Sequence, residues 1–308
     1  MQDTQNQGQG FMREITGEPT EKNAGRRVSV VMPARNEGRA IGVVVAAVRQ
    51  AHPDFEIIVV DDGSTDDTAA SAVANGATVI SHPYSKGNGA SIKTGARAAS
   101  GQVIVFLDGD GQHSPADIDR LLERIDAGAD MAIGARDAAS QASIFRHTAN
   151  WLYNLLATWI TGHKVLDLTS GFRAVDACKF REFLFMLPNG FSYPTTSTMA
   201  FFRSGYTIQY VPIRAAKRAG KSHLNVARDG IKFLLIIFRV CTLYSPLKLF
   251  FPVALFQFLL GAAYYLYTFI EWQRFTNMSA LLFTSALTTF LIGLVSEQMT
   301  AMLYKHDE

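Results

Sequence analysis

The sequence is short of several things, and each shortage narrows the choice. It holds only two cysteines, Cys178 and Cys241, so no disulfide framework can organise it; the pair fits a reducing compartment, each thiol packing as a small apolar residue. It lacks charge of one dominant sign: the formal net charge is +2, which gives no reason to expect nucleic acid or another polyanion as partner. The first 25 residues lack any apolar run, and the stretch reads as a polar, disordered tail with no signal peptide. No internal repeat interrupts the rest. The C-terminal third is short of charge. Neither Leu249 to Ile270 nor Phe275 to Ser296 contains a charged residue, and each approaches the roughly 20 residues that a helix needs to cross a bilayer. Only Glu271, Trp272, Gln273 and Arg274 separate them, so a tight transmembrane hairpin is expected over 248–304. Tyr264, Tyr265, Tyr267 and Trp272 read as its interfacial belt.

What charge there is near the membrane is positive. Arg214, Lys217, Arg218, Lys221, Arg228, Lys232, Arg239 and Lys248 are opposed only by Asp229. Because basic residues stay on the cytoplasmic side, the preceding domain is expected to face the cytosol as part of an integral membrane protein. Residues 214–247 are apolar toward their end but broken by Lys232 and Arg239, a pattern suited to a helix lying in the interface and to contact with anionic lipid.

Residues 26–213 alternate strand-like and helical segments. Strands are expected at Val28–Ala34, Phe55–Val60, Ala77–Ser81, Val103–Leu107, Met131–Gly134 and Thr207–Ile213. Helices are expected at Gly38–Arg49, Asp66–Asn75, Gly89–Ala99, Pro115–Ala127, Ile144–Thr161 and Ala177–Leu187. Such alternation predicts an α/β domain, a mostly parallel sheet with helices on both faces, whose ligands gather beyond the carboxyl ends of the strands.

The polar motifs stand at those ends. Strand one runs into Pro33-Ala34-Arg35-Asn36-Glu37, and strand two into Asp61-Asp62-Gly63-Ser64-Thr65-Asp66; each taken alone also fits plain turn and cap chemistry. Strand four leads into Asp108-Gly109-Asp110-Gly111-Gln112-His113. Acids two apart in a glycine-flanked loop can turn their oxygens to one hard cation, Mg²⁺ or Mn²⁺, which shares its shell with substrate phosphates. A solvated acidic turn is the alternative. An EF-hand is excluded by the missing third acid and position-12 glutamate. The stretch His82 to Ala90, with Lys93 after it, is glycine-rich and could offer backbone N–H groups to an anion, but it has neither P-loop nor dinucleotide spacing. His82 and His113 read as hydrogen-bonded loop residues.

Taken in order, these motifs resemble the family 2 glycosyltransferases: Pro-Ala-x-Asn-Glu at 33–37, Asp-Asp-Gly-Ser-x-Asp at 61–66, Gly-Asn-Gly-Ala at 87–90, Asp-x-Asp-x-Gln-His at 108–113 and Thr-Ser-Gly-Phe-Arg-Ala at 169–174. The resemblance implies a nucleotide-sugar-binding, GT-A-like fold. It implies that Pro33, Ala34, Arg35, Glu37, Asp61, Asp62, Gly87, Gly89 and Lys93 bind the donor, and that Asp108, Asp110 and Gln112 surround a divalent metal. The last motif, with Arg136, Arg146 and the basic stretch, is similar to the dolichol-phosphate mannose synthase branch. There Ser170, Arg173, Arg146, Arg218, Lys221 and Ser222 would meet the acceptor phosphate, and Arg136 would act beside Asp108 and Asp110 in catalysis. The implied reaction moves a hexose from a nucleotide-diphosphate-sugar, GDP-mannose or UDP-glucose, to undecaprenyl or dolichyl phosphate.

One more absence bears on that reaction. No acid occurs between Glu182 and Asp229, where a base to activate a sugar hydroxyl would be sought. A phosphate monoester, with a second pKa of about 6, needs no such base. Two other readings stand beside this one. A processive polysaccharide synthase would carry Gln-x-x-Arg-Trp, whereas the nearest string here, Trp272-Gln273-Arg274-Phe275, falls in the hairpin turn, and two spans enclose no polymer path unless the chain forms a homo-oligomer. A non-catalytic membrane adaptor on a transferase fold would have lost metal ligands, yet Asp108, Asp110 and Gln112 are all present.

Overall fold

The computed structural model describes residues 26–136, 144–190, 192–214, 238, 242 and 244–304. The expectations for the tail at 1–25, for Arg218, Lys221 and Ser222, and for most of the interfacial stretch at 214–247 lie outside them, as does the side chain of Arg146.

Seven strands form one sheet: β1 Val28–Ala34, β2 Glu56–Asp61, β3 Thr78–Ser81, β4 Val103–Phe106, β5 Met131–Arg136, β6 Arg173–Asp176 and β7 Ile208–Ile213, in the spatial order β3-β2-β1-β4-β6-β5-β7. The central runs are Val- and Ile-rich on both faces, as a sheet covered on two sides requires. On one face lie α1 (Gly38–Ala51), α2 (Thr68–Ala74) and α4 (Ile118–Asp126), packing Ile41, Val45, Ala72 and Leu121 onto Val30 and Val105. On the other lie α3 (Asn88–Ala98), α6 (Ala177–Glu182) and α7 (Tyr193–Arg203), packing Ile92, Phe180 and Phe201 onto Val31 and Phe106. A smaller core joins α5 (Ile144–Thr161) to Met199 of α7. The sheet is mixed: every pairing is parallel except those of β6, which runs antiparallel between β4 and β5.

Two elements were not expected. β6 is only four residues long and opens on an arginine, so it carries little strand signal; pairing on both edges makes it a strand. α7 runs through Thr195, Thr196, Ser197 and Thr198, poor helix formers, and every residue from Tyr193 to Phe201 is buried. Burial overrides propensity there, and Pro194 in the first turn sets the helix start.

Two helices of 27 residues each, α8 (Pro246–Trp272) and α9 (Asn277–Leu303), form the C-terminal hairpin and are long and apolar enough to cross a membrane. They approach closely where glycines face large neighbours: a Cβ on Gly261 would lie 3.1 Å from Cβ of Leu282, and one on Gly293 would lie 2.6 Å from Cβ of Phe250. Glu297 of α9 ties the hairpin to the sheet domain, accepting from Arg203 of α7 at 3.3 Å and from Ser245 at 2.9 Å.

Candidate active site

The carboxyl ends of β1, β2, β4 and β5 open onto one cleft of about 620 Å³. Pro33 and Ala34 line it at the end of β1, Arg35 and Glu37 just beyond, Asp62 after β2, Gly87 before α3, Asp108, Gly109, Asp110 and Gln112 after β4, and Arg136 at the end of β5. Asp61, Gly89, Lys93, Ser170 and Arg173 are not among its lining residues.

The β1 and β2 loops are stitched together by their own polar groups. Asn36 takes up a left-handed conformation, receives the backbone N–H of Thr65 on its side-chain oxygen at 2.9 Å, and donates its own N–H to Ser64 at 2.9 Å. The first amides of α1 are taken by the β2 loop, with Glu37 N–H donating to Thr68 and Gly38 N–H to Asp66. Asp61 is turned to this stitching and accepts from Ser64 N–H. These are local structure, and they fix where Arg35 and Glu37 stand.

Asp62 corrects the reading of the glycine-rich stretch. Its carboxylate accepts from His82 Nδ1, Lys86 N–H, Ser85 Oγ and Gly87 N–H, all at 2.8–2.9 Å. The next amides, of Gly89 and Ala90, donate to the carbonyls of Gly190 and Asn189. The anion held by this glycine loop is therefore the protein's own Asp62. Burial opposes its charge, but those four donors outweigh it and hold the carboxyl down at about 2. Gly87, at φ +101°, and Gly89 are small because the 188–190 backbone passes directly over them. Lys93 also turns away from the cleft, donating to Leu187 O and the Asn189 side chain.

The β4 loop carries the acids. Asp110 accepts from Gln112 twice, from the backbone at 3.1 Å and from the side-chain amide at 2.6 Å. His113 Nε2 stands 3.7 Å from Asp108 Oδ2, and its ring stacks on Phe172. Gly171 packs against the same carboxylate, where a Cβ would lie 3.1 Å from Asp108 Oδ2, a tight contact that the carboxylate would have to shift to accommodate. The described residues contain no cluster of three or more His, Cys, Asp or Glu side chains able to enclose a metal. Two carboxylates at the rim of an open cleft do fit Mg²⁺ or Mn²⁺, which commonly keep one or two protein carboxylates and complete their shell with water and phosphate oxygens.

The far wall joins Arg136, Thr169 and Gly171, which the motifs had marked, to Asp167 and the start of α7, which they had not. Arg136 forms a fork with Asp167, through Nε at 2.8 Å and Nη2 at 3.0 Å, and reaches Thr169 Oγ1 at 2.6 Å. Burial works against the guanidinium charge, but Asp167 more than compensates and raises its pKa; burial likewise pushes Asp167 up, and Arg136 brings it below its usual range. Asp167 stands two residues before Thr169, the one sequence signal that could have found it. Beside them lie Gly171 and the start of α7, with Ser192 in a left-handed conformation, Tyr193 and Pro194; Tyr193 donates to Gly171 O at 2.9 Å.

Arg173 leaves the set expected to meet an acceptor phosphate. Its side chain is fully buried, donating to Pro194 O, Ser197 Oγ, Thr198 Oγ1 and Ser170 O. It staples β6 to α7 and has no path to solvent. Ser170 is buried with it, its hydroxyl without a partner among the described residues.

Residues 29–185 match the family described as Glycosyl transferase family 2. The chain belongs to that family. Residues 245–302 match a second family, described as GtrB C-terminal hairpin, which makes this a membrane-associated family 2 transferase. Among curated relatives, the polyprenol monophosphomannose synthase of Mycolicibacterium smegmatis is 30% identical over 213 residues, 63% of this chain and 78% of that one. The undecaprenyl-phosphate 4-deoxy-4-formamido-L-arabinose transferase of Photorhabdus laumondii is 33% identical over 159 residues, 48% of this chain, and the match spans about half (49%) of that protein. These relatives support the polyprenyl-phosphate branch of family 2 to which the motifs pointed. Among solved structures, glucosyl-3-phosphoglycerate synthase of Mycobacterium tuberculosis, in complex with Mn²⁺, UDP-glucose and glycerol 3-phosphate, superposes with a TM-score of 0.58 at 26% identity, covering 71% of this chain and 81% of that one.

Proposed function

We propose that this transferase moves a hexose from a nucleotide-diphosphate-sugar, GDP-mannose or UDP-glucose, to a polyprenyl phosphate at the cytosolic face of the membrane. The observation that carries the reading is the make-up of the far wall. Arg136, Thr169, Gly171, Ser192, Tyr193 and Pro194 supply one guanidinium and three hydroxyl side chains; none of the six is a carboxylate, and the acids beside them are Asp167, engaged in the fork with Arg136, and Asp108, expected at the metal. Such a wall attracts an anion and offers no base. A sugar hydroxyl would need a base, whereas a phosphate monoester arrives ionised and needs only position and charge stabilisation. The two named relatives act, by their names, on polyprenol and undecaprenyl phosphate, and the hairpin would hold the cleft at the membrane where such a lipid resides.

In this reading Pro33, Ala34, Arg35, Glu37 and Asp62 frame the nucleoside side of the cleft. Asp108 and Asp110 would hold Mg²⁺ or Mn²⁺ with Gln112 fixing Asp110, and the bound cation supplies charge neutralisation to the departing diphosphate. Arg136, kept charged and aimed by Asp167, holds the acceptor phosphate in line. An oxygen of that phosphate attacks the anomeric carbon as the bond to the nucleoside diphosphate breaks, so no proton has to be removed. The basic residues between Arg214 and Lys248 support a cytosolic position for this cleft.

The test is direct. The full chain in detergent, given Mg²⁺ or Mn²⁺, polyprenyl phosphate and each labelled hexose donor in turn, is expected to make an organic-extractable labelled lipid with one of them. Absence of lipid product with every common hexose donor overturns the proposal.

A further inference from the structure

α9 is 27 residues long and carries a single charged side chain, Glu297. A lone acid in a helix otherwise fit to cross a bilayer is expensive unless partnered, and it marks a place where the charge is used. Glu297 has partners on two other elements. One of its oxygens accepts from both Nη1 and Nη2 of Arg203, the last residue of α7, at 3.3 Å. The other accepts from Ser245 Oγ at 2.9 Å and from Leu247 N–H at 3.2 Å, where α8 begins with open amides and the positive end of its dipole. α7, α8 and α9 therefore meet on one carboxylate. Arg203 is also gripped from the side: it donates to Tyr244 O, and its guanidinium lies 5.8 Å from the ring centres of Tyr244 and Tyr304.

The opposite end of α7 is the cleft. Ser192, Tyr193 and Pro194 line it, and a helix of this length puts them about 15 Å from Arg203 along its axis. The helix between is tightly held. Every residue from Tyr193 to Phe201 is buried, Arg173 donates to Pro194 O, Ser197 Oγ and Thr198 Oγ1, and Tyr193 is fixed on Gly171 O. A close-packed helix transmits a displacement at one end to the other instead of absorbing it. The opposite wall has a different anchorage, since Arg35, Glu37 and Asp62 stand on loops closed by Ser64, Thr65 and Gly87.

We infer that Glu297 is a positioning residue for the acceptor wall: by holding Arg203 it sets α7 against the hairpin, and with it Tyr193 and its neighbours over the cleft. The inference rests on the reading of that wall as the acceptor side. A polyprenyl phosphate is itself held by the bilayer, so the wall that meets it must keep a fixed place relative to the spanning helices. An ion pair between that wall's own helix and a spanning helix supplies the fixed place. The nucleotide-sugar arrives from water and makes no such demand.

Kinetics and hydrogen–deuterium exchange on the full chain in lipid nanodiscs test the link. Glu297→Gln and Arg203→Met are each expected to lower kcat/KM for polyprenyl phosphate about tenfold, while Kd for GDP or UDP with Mn²⁺ changes less than about twofold. The double variant should lose no more than the worse single one, because both substitutions break the same contact. Thr300→Val, which frees α9 from Thr242 O and leaves Arg203 on Glu297, controls for a loosened hairpin and should spare the acceptor kinetics. In Glu297→Gln the amides of residues 195–198, at the cleft end of α7, should exchange faster than in the wild type. Equal losses for acceptor and nucleotide overturn the inference, as does a Thr300→Val loss matching that of Glu297→Gln. Faster exchange confined to the Arg203 end of α7 overturns it too. A wild-type chain that makes no labelled lipid overturns the transferase reading instead, and the exchange pattern then decides the link by itself.

Discussion

The two walls of the cleft are built on different plans. The wall after β1, β2 and β4 consists of short motifs, each following its strand and closed by hydrogen bonds to nearby loops, as between Asn36 and Thr65 or Asp62 and Gly87. The wall at β5 and α7 joins pieces over similar separations, Arg136 to Asp167 31 residues away and Tyr193 to Gly171 22 residues away, but through a side-chain ion pair and a buried ring instead of loop amides. The first wall is a set of rigid turns that place acids. The second is a small core with one charge at its edge. What differs is the kind of group that closes each wall, backbone amides and short polar side chains in the first, a buried ion pair and packed side chains in the second.

That contrast can be broken most severely at the acids. Asp108→Asn or Asp110→Asn is expected to lower turnover about 10³-fold, with the fold unchanged by circular dichroism, because only stabilisation of transition-state charge is removed. A smaller effect separates the two arginines of the second wall. Arg136→Lys keeps the charge but loses the fork to Asp167, and a fall in rate of about 10²-fold with little change in melting temperature is expected. Arg173→Met should do the opposite, costing about 3 kcal/mol in denaturant unfolding because four buried acceptors lose their donor, while the folded fraction stays active. Equal effects of the two substitutions on rate would put Arg173 back at the acceptor.

The first wall is tested by pH. The carboxyl of Asp62 is held at about 2 in the fold, below its ordinary value of 3.8. A depressed carboxyl contributes stability that is fully present above the ordinary value and is lost as pH falls through the folded one, so the loss is expected progressively between about pH 4 and pH 2. Asp62→Asn should remove that part of the acid transition, which urea unfolding at several pH values would show. The smallest effect is expected at Ser85→Ala, which deletes one of the four donors to Asp62 and should cost about 1 kcal/mol. A loss as large as that of Asp62→Asn would mean that the loop folds as a single unit.

Legibility followed the same division. β1, β2, β4 and β5 were readable because doubly covered strands are continuous apolar runs, and the half-exposed edge strands β3 and β7 because they hold short β-branched runs. The acids after them were readable because turn chemistry and strand ends coincide. The anion of the glycine loop was misread, since a sequence shows N–H donors but not which carboxylate reaches them. Arg173 was misread for a related reason: an arginine in a polar motif looks exposed, and only the antiparallel insertion of β6 buries it. α7 was invisible because its threonines and serines favour no helix until packing on both sides removes the alternatives.

By itself, the sequence determined the class of the protein. Ordered acidic motifs after apolar strands, followed by two long uncharged helices, allow little besides a membrane-associated transferase, since hydrophobic periodicity and span length are local properties that no folding partner alters. The tertiary structure alone decided which charges face the cleft. It turned Arg173 inward, tied the carboxylate of Asp62 to its own loop at the edge of the cleft, left Asp108, Asp110 and Arg136 on the walls, and brought α5 to the base of the hairpin. Those outcomes depend on which distant groups meet, and a buried charge is tolerable only where its partners converge.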